Sequence, residues 1–389
     1  MCVARGLTDA LGSSRWIEGA SSRGASRRER RNVGFARARC GATTTTAALF
    51  GGLMAKTRKP AAPPKPPAGT DTDAAAFKAA GLVLAVPSLA TFVDTQPVLG
   101  AFGVSHSDPR AFEAVSDVQH FSNVVGTDCF ALIALCVLYV LSDAAENERL
   151  DSETYQRLAL AAVLYSGANV LGVSAAASIG ALGDPSIPSP SPAAVAGVVA
   201  ALAPAGLVSA RAIAAYGGGF GKAFERVKKD WAVVTDLGST TARGGYLERY
   251  LKLSFWASMI VGGSFAFSPL SPLAIVNEYT PSSQFIQRAF GLGTVFMLAP
   301  AQFVLLDAAK RGRLGGGTFK KLNLSIALAV AGIDFMTVYT FAAAQALSPD
   351  ADALKEASGG IYNYVGALAV SFSILAVYLY QGLFAKKDA

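Results

Sequence analysis

A chain of 389 residues with 52% hydrophobic and only 16% charged side chains is too apolar for an ordinary soluble domain, in which about a quarter of the residues carry charge. The net charge of +7 is unevenly spread: residues 1–60 hold 12 Lys+Arg against 3 Asp+Glu, a balance of +9, which leaves 22 against 24, or −2, for residues 61–389. The basic character therefore belongs to a tail and gives a nucleic-acid partner no support, while two histidines, His106 and His120, are too few for histidine-box, bis-histidine haem or zinc-protease chemistry.

Residues 1–55 are rich in Arg, Ser, Ala and Thr, with a basic cluster at Arg27–Arg31, further arginines at Arg37 and Arg39, and a threonine run at Thr43–Thr46. No apolar core of signal-peptide length follows, so the composition predicts an organelle transit peptide. Its Ser and Thr content favours a plastid, with the mitochondrial inner membrane as the alternative destination of the mature chain. A plain disordered tail is the competing reading. Residues 56–74, with Pro63–Pro64 and Pro66–Pro67, predict a stiff, extended linker.

Eight apolar stretches of about 20 residues or more follow, the length that crosses the hydrocarbon of a bilayer. They cover 75–96, 119–142, 156–182, 193–216, 249–270, 285–307, 319–346 and 360–384. The first is interrupted by Pro87, which membrane helices tolerate when neighbours cover the freed carbonyl. With the mature N-terminus on one side, eighteen Lys and Arg fall on that side, against Arg110, Arg288 and Lys355 on the other. Such asymmetry fits the positive-inside rule and predicts both termini in the stroma of a thylakoid or inner envelope membrane.

Residues 139–160 lie on residues 303–324 without a gap, with ten identities, among them Asp143/Asp307, Arg149/Arg313 and Thr154/Thr318. The pattern predicts a duplication. The expected fold is all-α: a polytopic integral membrane protein of eight transmembrane helices, as two tandem, parallel four-helix repeats, 75–218 and 247–389. Between them, residues 219–246 hold Phe220, Ala223, Phe224, Val227, Trp231 and Val234 at helical spacing opposite Lys222, Glu225, Arg226, Lys229 and Asp230. That is an amphipathic helix, either lying on the stromal headgroups or docked against neighbouring helix ends.

The twice-used turn places Asp143 and Asp307 at helix C-termini, where a carboxylate opposes the macrodipole unless a cation neutralises it. Arg149 and Arg313 are the expected partners, and Thr154 and Thr318 the expected caps of the next helices. We read these six as structural turn residues rather than gates. Inside the spans, Asp128 and Asp334 share a depth of about 21–23 Å from the stromal side at ~1.5 Å of rise per residue. A carboxylate there costs several kcal/mol unless protonated, paired or hydrated. The two acids, with Thr127, Gly167, Asn169 and Thr337, form the expected substrate- or ion-binding site between the halves, opposed by a reading in which each acid is merely hydrogen-bonded in a helix interface. Arg211, roughly 13 Å shallower on the same rise, is expected to snorkel.

Cys2 and Cys40 lie in the tail, and Cys129 and Cys136 sit seven apart in an apolar stretch, a spacing of neither a disulfide framework nor a metal site. No nucleophile elbow or P-loop is present, so no cofactor is assigned and no enzyme is expected. The sequence predicts a small-solute or ion carrier surrounded by membrane lipids. The alternative is a non-catalytic scaffold or assembly factor bound to other plastid membrane proteins.

Overall fold

The computed structural model describes residues 70–103, 115–183, 187–241, 244–267, 280–347 and 361–385. All of them lie in one unit, Pro64–Ala389. The transit-peptide reading of 1–55 and nearly all of the linker 56–74 fall outside the described residues, as does the side chain of Thr337. Regular structure among the described residues is entirely helical. The helices are α1 (Thr70–Val93), α2 (Gln96–Ala101), α3 (Val115–Glu146), α4 (Glu153–Leu182), α5 (Pro192–Tyr216), α6 (Gly219–Thr235), α7 (Gly245–Phe267), α8 (Pro281–Lys310), α9 (Gly317–Leu347) and α10 (Ile361–Phe384).

Five of these, α1, α3, α4, α5 and α8, are long and apolar enough to cross a membrane. Over its described residues the chain is an all-helical membrane protein. Helices α7, α9 and α10 run for 23, 31 and 24 residues and fall where the fifth, seventh and eighth apolar stretches were expected. Local signals set several starts. Ser191 accepts a bond from Ala194 N at the head of α5, just before Pro192, and Thr280 and Ser283 form a reciprocal capping box around Pro281 at the head of α8. Proline suits the first helical turn because its missing N–H has no partner there anyway.

Within α8, Pro300 has the opposite effect. It cannot donate to the preceding turn, and its ring crowds the carbonyl four residues back. The helix answers with a π turn over Thr294–Leu298, where the Ala299 N–H reaches Thr294 O. Extra backbone in that turn takes up the strain. The sequence stretch 285–307 gave no expectation of this bulge.

Packing is pairwise. Helix α1 lies on α3 and α5, α4 on α5, α7 on α8, and α9 on α10; α3 also meets α9, α4 meets α8, and α3 and α8 cross each other. At that crossing the ring of Phe290 (α8) fills the space over Gly126 (α3), and the ring of Phe130 (α3) fills the space over Gly293 (α8). The two rings meet at 5.3 Å. Helices α7 and α8 approach backbone to backbone: a Cβ on Gly291 would stand 2.4 Å from Ala266 N and 2.6 Å from Gly262 O. Both obstacles are backbone and cannot rotate away. Gly291→Ala is therefore expected to push α7 off α8 and to cost about 1–3 kcal/mol or more of stability, read as an earlier thermal transition of the detergent-purified protein. Gly263→Ala, with open space at its Cβ, is the control and should stay near wild type.

Candidate functional site

A cavity of about 340 Å³ opens among α1, α2, α3, α4, α5 and the start of α8. It lies toward the end of the bundle where Ser191 N bonds Ala101 O and Ser282 N bonds Pro188 O, away from the 143–154 turn. Its wall is chiefly apolar, with Phe102 and Phe285 stacked at 5.3 Å across one end. Thr127, Asp128 and Asn169 all line it, joined by Ser88, Thr91 and Tyr165. Three of the expected site residues thus come together. Asp334 and Gly167 are not among these walls.

Hydrogen bonds within the helices decide what the cavity offers a ligand. Ser88 Oγ donates to Leu84 O at 3.0 Å, Thr91 Oγ1 to Pro87 O at 2.9 Å, Thr127 Oγ1 to Asn123 O at 2.7 Å, and Asn169 Nδ2 to Tyr165 O at 2.9 Å. Ser88 and Thr127 spend their single hydroxyl protons on their own helices and leave oxygen lone pairs for the cavity, whereas Thr91 also lies within hydrogen-bonding reach of Asp128, and Asn169 keeps a second N–H. Asp128 Oδ2 is buried with no hydrogen-bond partner. A carboxylate with an unpartnered oxygen in largely apolar surroundings suits a cation, an amine or a proton, and repels an anion.

Asp334 occupies a different place. Its Oδ1 accepts a 2.5 Å bond from Ser371 on α10. The reason is rotational: Gly332 faces α3, where a Cβ would stand 2.8 Å from Cys129 Sγ, and two residues further along a helix lie about 200° around it. Asp334 is thereby turned from α3 toward α10. The cavity therefore holds Asp128 and not Asp334, the other acid expected to share its site. Asp334 Oδ2, like that of Asp128, is buried with no hydrogen-bond partner.

The two turns are built alike. Arg149 N bonds Ala144 O at 2.8 Å and Arg313 N bonds Ala308 O at 2.8 Å. The residue before each arginine is left-handed, Glu148 at φ 55° and Gly312 at φ 65°, as helix C-termini commonly require. Arg149 reaches Asp143 at 3.1 Å and Arg313 reaches Asp307 at 3.6 Å, as expected. Their guanidinium groups also sit over the rings of Tyr155 and Phe319, at 5.6 and 5.8 Å. The helices run on to Glu146 and Lys310, beyond the aspartates. The capping role expected for Thr154 and Thr318 is corrected: α4 begins at Glu153 after Ser152 and α9 at Gly317, so both threonines lie within the first turn. Thr318 Oγ1 instead meets Tyr155 OH at 3.3 Å.

Ionic contacts invisible in the sequence gather at this turn end. Arg157 (α4) binds Asp230 (α6) through Nε and Nη2, each at 2.7 Å, and stands 3.6 Å from Asp307. Arg211 pairs with Asp73 at 3.2 Å although the arginine side chain is 61% exposed, so it both snorkels and bonds. Lys252 is fully buried. Its ammonium reaches Asp236 O at 2.7 Å, Ser239 O at 2.6 Å and Glu248 Oε1 at 3.2 Å. Helix α6 sits on α4 and α5, and Trp231 packs edge-on against Trp256 of α7 at 5.3 Å. It is docked, while Phe220, Phe224 and Val227 stay exposed.

No family model, curated protein or solved structure matches the chain. The function therefore has to be argued from the cavity and its chemistry. Among the described residues no cluster of His, Cys, Asp and Glu is arranged to hold a metal ion.

Proposed function

We propose that this chain is a carrier for a small cationic or amine-bearing solute, or for an ion, in a plastid membrane, and that Asp128 binds the charge. The single observation that carries the reading is the mostly apolar cavity in which Asp128 Oδ2 has no hydrogen-bond partner. An ionisable group at membrane depth is retained when it serves a solute or proton path. Pro87 lies inside the continuous helix α1 on the same wall, where its missing N–H frees a backbone carbonyl of the preceding turn.

The architecture we propose is eight spans in two parallel four-helix repeats, with both termini stromal. Exchange of the two halves maps three of the packing pairs onto three others, α1 on α3 onto α7 on α8, α4 on α5 onto α9 on α10, and α3 on α9 onto α8 on α4, while α1 on α5 has no such counterpart among the described residues. It also maps Lys321, over the Tyr139 ring at 4.5 Å, onto Arg157, over the Phe303 ring at 5.1 Å. These correspondences support the duplication.

The test is reconstitution into proteoliposomes. Uptake of small organic cations, and proton movement reported by a trapped pH dye, should be saturable in the wild type. Asp128→Asn should lower it at least about tenfold, equivalent to roughly 1.4 kcal/mol, whereas Asp334→Asn should leave it within a factor of about two. Flux unaffected by Asp128→Asn would remove this mechanism and leave the scaffold reading, which the exposed apolar residues of α6 favour.

A further inference from the structure

A second cavity, about 180 Å³, lies under α6 against α4, α7 and α8. Its apolar wall includes Leu164, Val227, Phe255, Met259, Phe296 and Pro300. The π turn forced by Pro300 shapes one side of it, since Val295 and Phe296 belong both to the bulge and to the wall. One end is charged. Arg157 and Asp230 neutralise each other there, but Arg226 lines the same cavity with no carboxylate within ion-pair distance among the described residues. Its Nη2 donates weakly to Gly217 O at 3.3 Å, and its Nη1 is buried with no hydrogen-bond partner. A buried guanidinium N–H without an acceptor costs roughly 1–3 kcal/mol or more, so the site is unbalanced as it stands.

The surroundings specify what would balance it. Helix α6 carries Lys222, Arg226, Lys228 and Lys229 against Glu225 and Asp230, a net +2, and keeps Phe220, Phe224, Val227 and Trp231 at 39–50% exposure. A basic amphipathic helix with exposed aromatic residues is built for the headgroup layer of a bilayer. Val227 and Trp231 are both partly exposed and part of the cavity wall, so the cavity communicates with that layer. We propose that this crevice holds one anionic phospholipid, its phosphate on Arg226 and part of an acyl chain between α4, α7 and α8. Arginine matches a phosphate through two parallel N–H bonds, and the apolar wall accepts methylenes without burying a polar group. This site is separate from the Asp128 cavity and stands whether or not that cavity transports anything.

The experiment is native mass spectrometry of the full chain in neutral detergent, titrated with phosphatidylglycerol and, separately, with phosphatidylcholine of the same chains. The expected result is one phosphatidylglycerol adduct at least about tenfold tighter than the phosphatidylcholine adduct. Arg226→Gln should abolish that preference, and Val227→Trp, which fills the cavity mouth from a partly exposed position, should weaken both adducts with the melting temperature unchanged. Equal affinity for the two lipids, or phosphatidylglycerol binding unaltered in both variants, overturns the proposal. An adduct that proves to be a peptide or a second copy of the chain overturns it as well.

Discussion

Lys252→Met should destabilise the protein by about 3–5 kcal/mol, the range for breaking a buried ion pair by removing one partner. The ammonium has no solvent contact and fills three roles: it ties the carbonyls of Asp236 and Ser239 to α7 and neutralises Glu248. Methionine matches its length but leaves both carbonyls without that donor and a carboxylate buried beside only Thr241, whose N and Oγ1 reach Glu248 Oε2 at 2.7 and 2.8 Å. Lys310, 3.8 Å from Glu248 Oε1, is the remaining cation. Fluorescence melting would read the loss directly, because Trp256 Nε1 bonds Val234 O next to this loop. Adding Glu248→Gln removes the stranded charge, so the double variant should be more stable than the two single losses summed, the mark of coupled neighbours. A transition within about 0.5 kcal/mol of wild type, typical of an ordinary surface change, would show that the lysine locks nothing.

Glu248 adds a pH signature. It stands in the first turn of α7, ahead of the apolar stretch 249–270. Burial alone would raise its pKa, but the bonds from Thr241 and the Lys252 ammonium outweigh that and hold it below the ordinary 4.5. A depressed carboxylate contributes stability that is full above its unfolded pKa and disappears as pH falls through the folded one. Acid melting of the wild type should therefore show this contribution lost below about pH 4.5. In Lys252→Met the cation that favours the ionised form is gone, so the folded pKa rises toward the unfolded one and this acid-sensitive contribution should shrink or change sign.

Arg157→Leu should free α6 from the bundle. The guanidinium grips Asp230 through two 2.7 Å bonds, stands 3.6 Å from Asp307 and Glu153, and covers the Phe303 ring at 5.1 Å. Leucine leaves those carboxylates facing one another around a half-buried site, at about 3–5 kcal/mol. Hydrogen exchange is the natural readout, because docking energy appears as local protection. Amides of 219–235 should exchange roughly a hundredfold faster or more, at about 1.4 kcal/mol per factor of ten. Arg157→Lys should fail too, since a point charge cannot make the two-pronged bond. The reciprocal change, Lys321→Arg, should be nearly silent: Lys321 has the Tyr139 ring beneath it and, among the described residues, no ion pair to lose. Equal effects at both positions would sink this account of how α6 is held.

Periodicity and length made the helices legible. The stretches 156–182, 193–216 and 360–384 lie within a few residues of α4, α5 and α10, because an apolar run of that length has few ways to satisfy its backbone other than a helix. The ion pairs within each turn were legible as well, since Asp143 and Arg149 are six residues apart and Asp307 and Arg313 likewise, near enough for local geometry to join them. The site was half legible. Asp128 and Asn169 were found from the cost of polar groups at depth, which needs only a count of residues along a helix.

Everything that depends on rotation about a helix axis or on a distant neighbour lay outside that count. The sequence by itself determined that this is a helical membrane protein with a basic tail, two like turns and two acids within apolar stretches. Only the tertiary structure decided that Asp128 opens into a cavity while Asp334 turns to Ser371, that Lys252 is buried rather than superficial, and that Arg157 pins α6. The physical reason is that depth accumulates steadily along one chain, at a fixed rise per residue. Azimuth and partnership are set by which helices pack together, and close-packed side chains such as Cys129 on Gly332 admit only one rotation.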